Sequence, residues 1–160
     1  MNKTFNLYYQ SPLGILEITG NEGAVWRIRF IDNKAKKDDP EPPDTLLECR
    51  QQLDEYFNGH RREFDVKTEL RGTEFQIKVW NELYKIPYGH TVSYGGMAKS
   101  LGNPRAVRAV GGANGKNNIV IIYPCHRVIG SDGSMVGFGA GIWRKKWLLA
   151  HERLVLTQDK

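Results

Sequence analysis

Cysteine is scarce in this 160-residue chain, and long apolar runs are missing altogether. Two cysteines, Cys49 and Cys125, are too few for a disulfide framework or a four-sulfur zinc site. The four histidines, His60, His90, His126 and His151, show no ligand-like pairing, so no structural metal is expected, and with no cofactor motif in the chain no cofactor is expected either. No stretch approaches the roughly 20 apolar residues that cross a bilayer. The segment Met1–Gln10 lacks the apolar block and small-residue cleavage site of a signal peptide. The expectation is a cytoplasmic protein, away from membranes, with both thiols free. A hydrophobic share of 40% and a charged share of 26% belong to a globular chain that buries its core without staples.

Acidic residues thin out along the chain. Residues 1–72 hold 11 Lys/Arg and 13 Asp/Glu, whereas residues 73–160 hold 12 and 5. A basic half points to a polyanionic partner or to a solvated basic surface, and charge alone does not choose between them.

The first third reads as strands, at Leu7–Gln10, Leu16–Thr19 and Val25–Phe30, separated by Pro12-Leu13-Gly14 and Gly20–Gly23. Val25, Arg27, Arg29 and Ile31 alternate with Trp26, Ile28, Phe30 and Asp32, as in a one-sided antiparallel sheet. Thr45-x-x-Glu48 offers a capping box for a helix to about Phe57, with Leu46, Leu53 and Phe57 inside. Phe64–Lys67 is a candidate edge strand. The character changes near Arg71-Gly72, which divides the chain into regions 1–71 and 72–160. Thr73-x-x-Gln76 opens a helix to about Tyr84, with Ile77, Trp80 and Tyr84 on one face.

After a turn at Pro87-Tyr88-Gly89, Ser93 caps a short helix to Leu101, and Gly102 stops it. Asn103 as cap and Pro104 at the first helical position start another helix, which runs to about Ala113. The pair outlines a helix-turn-helix. In the second helix Ala106, Ala109, Gly111, Gly112 and Ala113 are small, while Arg105 and Arg108 are long and basic. Small residues allow close approach, either to a partner or to a neighbouring helix in the core. Ile119–Tyr123 reads as an apolar strand feeding Pro124-Cys125-His126-Arg127. Ser131-Asp132-Gly133 reads as a turn, Gly137–Gly141 as a glycine-rich loop and Ile142–Glu152 as a final helix.

Cys125 is either a buried structural thiol or a nucleophile. A nucleophile needs its pKa lowered, and His126, Arg127 and the basic half are available for that. Strand neighbours point to opposite faces, so His126 does not follow as a contact of the sulfur. Cys49 lacks such neighbours and reads as structural. Glu152 gains a role only where the fold brings it to His126.

The strings GTEFQIKVW, IPYGHTVSY, GNPRAVRAVGGAN, IIYPCHRVIG and KKWLLAHE occur in this order across about half of the chain. Together they resemble the O6-alkylguanine-DNA alkyltransferases, also called methylated-DNA–protein-cysteine methyltransferases. The resemblance implies an α/β chain: a small RNase H-like domain with an antiparallel sheet and a helix, then a mostly helical domain with a helix-turn-helix. It implies repair of double-stranded DNA by irreversible, one-for-one transfer of an alkyl group from O6 of guanine to Cys125, with O4-alkylthymine left open as a further substrate. His126 would act as base through a water, Glu152 would hold His126, and Asn117 would brace the turn. Tyr94 would sit by the flipped guanine and Arg108 would fill its place in the stack. The carbonyls of Cys125 and Val128 would take the guanine amino group, and the 137–141 loop, with Phe138 and Gly139, would cover the pocket. Ala106, Ala109 and Gly112 would let the helix enter a minor groove only ~6 Å wide. Arg105 and Lys145 join the substrate- and DNA-contacting set.

The chain departs from the family pattern at Asn118, where proline is common, and at Phe138, where tyrosine is usual. Gly139-Ala140 makes the pocket loop small. The Cys and His set that binds zinc in some relatives is absent. A monomer is expected, with cooperation on DNA left open. Two other readings stand beside this one: a helix-turn-helix regulator or damage sensor, and a cysteine hydrolase using Cys125, His126 and Glu152.

Overall fold

The computed structural model describes residues 3–31, 36–135 and 138–158. The chain forms two compact units, Met1–Arg71 and Gly72–Lys160.

In the first unit β1 (Phe5–Ser11), β2 (Gly14–Gly20) and β3 (Val25–Phe30) make an antiparallel sheet in the order β1-β2-β3. Helix α1 (Asp44–Phe57) packs on it. The inward face of β3 is not the strict alternation expected. Val25 and Ile28, three positions apart, are both fully buried, because the β2–β3 register shifts between Thr19 and Gly20. A bulge of this kind turns one residue over and resets the faces. Glu17, on β2, is buried beneath Arg27 and Arg29, with Arg29 Nε at 2.9 Å.

Two local expectations fail here for identifiable reasons. Thr45 does not cap α1. The extended Pro43 holds that position, and the Thr45 hydroxyl donates instead to the Glu22 carbonyl at 2.6 Å. Residues 64–67 form no strand. The Gln52 side chain accepts from Asp65 N and donates to Asp65 O, and only Thr68 bridges Val25.

The second unit is helical. The expected capping box is present: Thr73 accepts from Gln76 N at 3.1 Å and Gln76 accepts from Thr73 N at 3.0 Å, opening α2 (Glu74–Leu83). Its buried face is Val79, Trp80 and Leu83, whereas Tyr84 stands 51% exposed past the helix end. Ser93 caps α3 (Tyr94–Ser100), accepting from Gly96 N at 2.9 Å.

Helix α4 (Val107–Gly115) begins later than Asn103-Pro104 suggested, with Ala106 as its cap. Asn103 is already committed to ending α3. Gly102, at φ 78°, donates to Lys99 O, and Asn103 N reaches back to Ala98 O at 3.0 Å, in a Schellman arrangement. Helix α5 (Ile142–Gln158) closes the unit and buries Lys145, Leu148, Leu149, Glu152 and Val155. Trp143, expected to pack, is 57% exposed. Among the described residues no helix is long and apolar enough to cross a membrane.

Candidate active site

The apolar run Ile119–Tyr123 is not a strand but a buried loop folded back on itself. Asn117 closes it by accepting from Ile119 N at 3.0 Å and donating to Tyr123 O at 2.7 Å. Tyr123 N donates to Ile119 O, and Ile121 adopts φ 75° to make the bend. The loop delivers Pro124 into a single 3-10 turn, Cys125–Arg127. Three residues per turn send successive side chains in three directions, not to the two faces of a strand. Val128 and Ile129 then form β5, paired in parallel with β4 (Val92–Ser93).

Cys125 is 2% exposed. Burial pushes its thiol up to about 11, against a hydrogen bond from Asn117, the charge of Lys145 and nearby backbone N–H groups. The resting sulfur is therefore a thiol. Arg127 does not serve it, contrary to expectation, because its guanidinium is committed elsewhere. Nε lies 2.9 Å from Glu152 Oε1, Nη2 lies 2.9 Å from Oε2, and Nη1 donates to Ile86 O at 2.7 Å.

Glu152, on α5, also accepts from Gly89 N at 3.0 Å and faces His126 Nε2 at 2.7 Å. Burial is the largest single influence on this carboxyl and opposes its charge. His126 and Arg127 together outweigh it and hold the group well below the usual carboxylate range. An ionised carboxylate only accepts, so His126 Nε2 carries the proton. Burial pushes the imidazole pKa down in spite of Glu152, leaving the ring neutral with a lone pair on Nδ1. That nitrogen is buried without a hydrogen-bond partner among the described residues.

On the other side of the turn lies Tyr94, the first residue of α3, whose hydroxyl burial keeps protonated. Asn114 of α4 donates to Tyr94 Oη at 3.4 Å and to Cys125 O at 3.2 Å. Lys145 is fully buried and donates to the Val128 carbonyl, with its ammonium 5.6 Å from the Tyr94 ring centre. Burial lowers its pKa to about 8.

The family model for the DNA binding domain of 6-O-methylguanine DNA methyltransferase matches residues 74–154, and that for its ribonuclease-like domain matches residues 5–70. The chain belongs to this family. It is 45% identical to the methylated-DNA–protein-cysteine methyltransferase of Mycolicibacterium paratuberculosis, over 89% of this chain and 88% of that one. It is equally identical to the Methanosarcina acetivorans protein of the same name, over 90% and 95%. The crystal structure of Mycobacterium tuberculosis OGT in complex with DNA superposes with a TM-score of 0.83 at 44% identity, covering 92% of each chain.

In this methyltransferase chain Arg105, Arg108, Ala109 and Gly112 lie exposed together on or beside α4, and Ala106 is half-buried at its start. The opposite face of α4 packs inward, where Trp80 Nε1 donates to Ala113 O at 2.8 Å. Phe138 is buried and Gly139 exposed. A side chain at Gly139 would meet the Gly115 carbonyl at 2.6 Å, so the loop rests directly on the end of α4. Gly137 lies outside the described residues. A cavity of about 660 Å3 opens between the α4 glycines 111, 112 and 115 and the stretch from Phe138 to Ile142. Sequence reading missed Asn114 and the clamp role of Arg127. The signal for Asn114 was its spacing from Val110 and Ala113, which places all three on the buried face of α4.

Proposed function

We propose that Cys125 accepts an alkyl group from O6 of guanine in double-stranded DNA, once per protein molecule, with the protein acting as a monomer in the cytoplasm. The observation that carries this reading is the neutral His126, locked by Glu152 with an unengaged Nδ1, beside a cysteine in the same turn. A thiol held near 11 needs a base during attack, and Nδ1 is that base, reached through a water. The sulfur attacks the alkyl carbon, an S–C bond forms and the C–O bond breaks. The thiol proton passes to His126, and the departing guanine takes a proton from Tyr94. The product is a thioether, and no group among the described residues of the site is placed to cleave it.

The alkyl carbon is hidden in stacked duplex, so the nucleotide is first extruded. Arg108 fills the gap. The outer face of α4 supports a close approach to DNA. A side chain at Gly112 would meet nothing within 4 Å among the described residues, so internal packing does not require glycine there. The extruded base enters beside α4 and the 138–142 stretch.

The test is incubation with a duplex containing O6-methylguanine, followed by mass analysis of the Cys125 peptide. One methyl group per protein on that peptide is the expected result. Binding without transfer would leave a damage sensor. In Cys125→Ala, duplex binding persists and transfer vanishes; transfer by that variant would rule out the assigned acceptor.

A further inference from the structure

Asn114 is 1% exposed, on the inward face of α4, and nothing in helix packing calls for an amide there. Its Oδ1 has no hydrogen-bond partner among the described residues. A buried acceptor left unsatisfied is destabilising, and an apolar side chain of similar size would occupy the space at lower cost. Its Nδ2 does two things. It donates to the carbonyl of Cys125 at 3.2 Å and to the hydroxyl of Tyr94 at 3.4 Å.

The carbonyl accepts only, which settles that the amide nitrogen, not the oxygen, faces Cys125. The same nitrogen then meets Tyr94 as a donor. A phenol has one proton to give, and a hydroxyl that accepts from Asn114 turns that proton away from Asn114.

We propose that Asn114 is a positioning residue for alkyl transfer: it orients the Tyr94 proton toward the departing guanine and ties that phenol to the backbone of the acceptor cysteine. This rests on the transfer reaction and on the role of Tyr94 given above. Burial keeps Tyr94 protonated and so able to donate. Asn114 acts on the leaving base, not on the nucleophilicity of the sulfur.

The experiment is single-turnover transfer from an O6-methylguanine duplex, read beside the reaction of Cys125 with iodoacetamide, which needs no proton donor for a purine. Asn114→Leu and Tyr94→Phe should each slow transfer by about tenfold, the effect of one hydrogen bond. Combined, they should be no slower than the slower single variant, because both remove the same proton delivery. Iodoacetamide reactivity should stay at the wild-type level in Asn114→Leu. Additive losses, or an equal loss toward iodoacetamide, overturn the proposal.

Where circular dichroism shows Asn114→Leu unfolded, Asn114→Asp decides. It keeps the shape but replaces the donor by an acceptor, which draws the Tyr94 proton to residue 114. Transfer by Asn114→Asp at the wild-type rate overturns the proposal, and a loss at least as large as that of Tyr94→Phe supports it. A wild-type protein that never methylates Cys125 defeats the transfer reading and this inference with it. Normal wild-type transfer alongside normal Asn114 variants defeats this inference alone.

Discussion

Two bonds from Arg127 and one from His126 converge on the single carboxylate of Glu152, and all three side chains are buried. Removing the guanidinium leaves that charge beside a neutral ring. Arg127→Met should therefore destabilise the protein by about 3–5 kcal/mol, the range for a broken buried ion pair. Urea denaturation that matches wild type would show the clamp to be dispensable. The thiol allows a second prediction. With its pKa raised to about 11, the thiolate fraction of Cys125 rises with pH throughout the neutral range. Iodoacetamide labelling should accelerate about tenfold per pH unit from pH 7 to pH 9. A plateau near pH 8 would contradict the raised pKa. Cys49, fully buried and pushed up to about 12, should label more slowly still. The motif strings pointed to Cys125, His126 and Glu152, and the fold puts the first two in one turn and the last two 2.7 Å apart. The use of Arg127 was not, since no local pattern tells which carboxylate a charge will meet across 25 residues.

Among the elements, α4 is where the proposed DNA contact and folding would make opposite demands on one residue. Replacing Gly112 by leucine adds a good helix former at a point where a Cβ meets no described atom, so thermal stability should hold or rise. On the proposed reading, in which this face enters the groove, duplex affinity should nevertheless fall. A gel-shift titration that shows no loss would move the DNA contact off this face. Arg108→Ala should slow transfer from duplex more than transfer from a free alkylated base, and equal losses would argue against insertion. Element boundaries were readable where the signal is local and uncontested. The Thr73–Gln76 box is such a case. They were misread where one residue serves two neighbours, as Asn103 does in ending α3 at the expense of capping α4. They were also misread where a side chain captures backbone groups, as Asn117 does across Ile119–Tyr123. Apolar periodicity carries neither kind of information.

For the molecule as a whole, the charge imbalance and the buried pair set the response to solution conditions. The His126 pKa is lowered in the folded state, so the unfolded chain takes up a proton first as pH falls below about 6.5. The Glu152 pKa is also lowered, so its contribution is complete above about 4.3 and is lost below. Both act in the same direction: the melting temperature should decline from pH 7 toward pH 4, and a flat profile would refute the linkage. Duplex affinity should drop as salt rises, through release of counterions from phosphates met by the basic residues of 73–160, where 12 Lys/Arg face 5 Asp/Glu. That asymmetry and the change of character near Arg71-Gly72 were visible without coordinates. The bulge in β2–β3 was not, because a register shift belongs to a pair of strands and not to either alone.

His126 and the carboxylate that faces it lie 26 residues apart in the chain. One partner sits in a single 3-10 turn and the other on α5, so the pair exists only while that helix is docked. Any opening that lifts α5 away would free the imidazole to exchange its proton between its two nitrogens, and would uncover the neighbouring sulfur at the same moment.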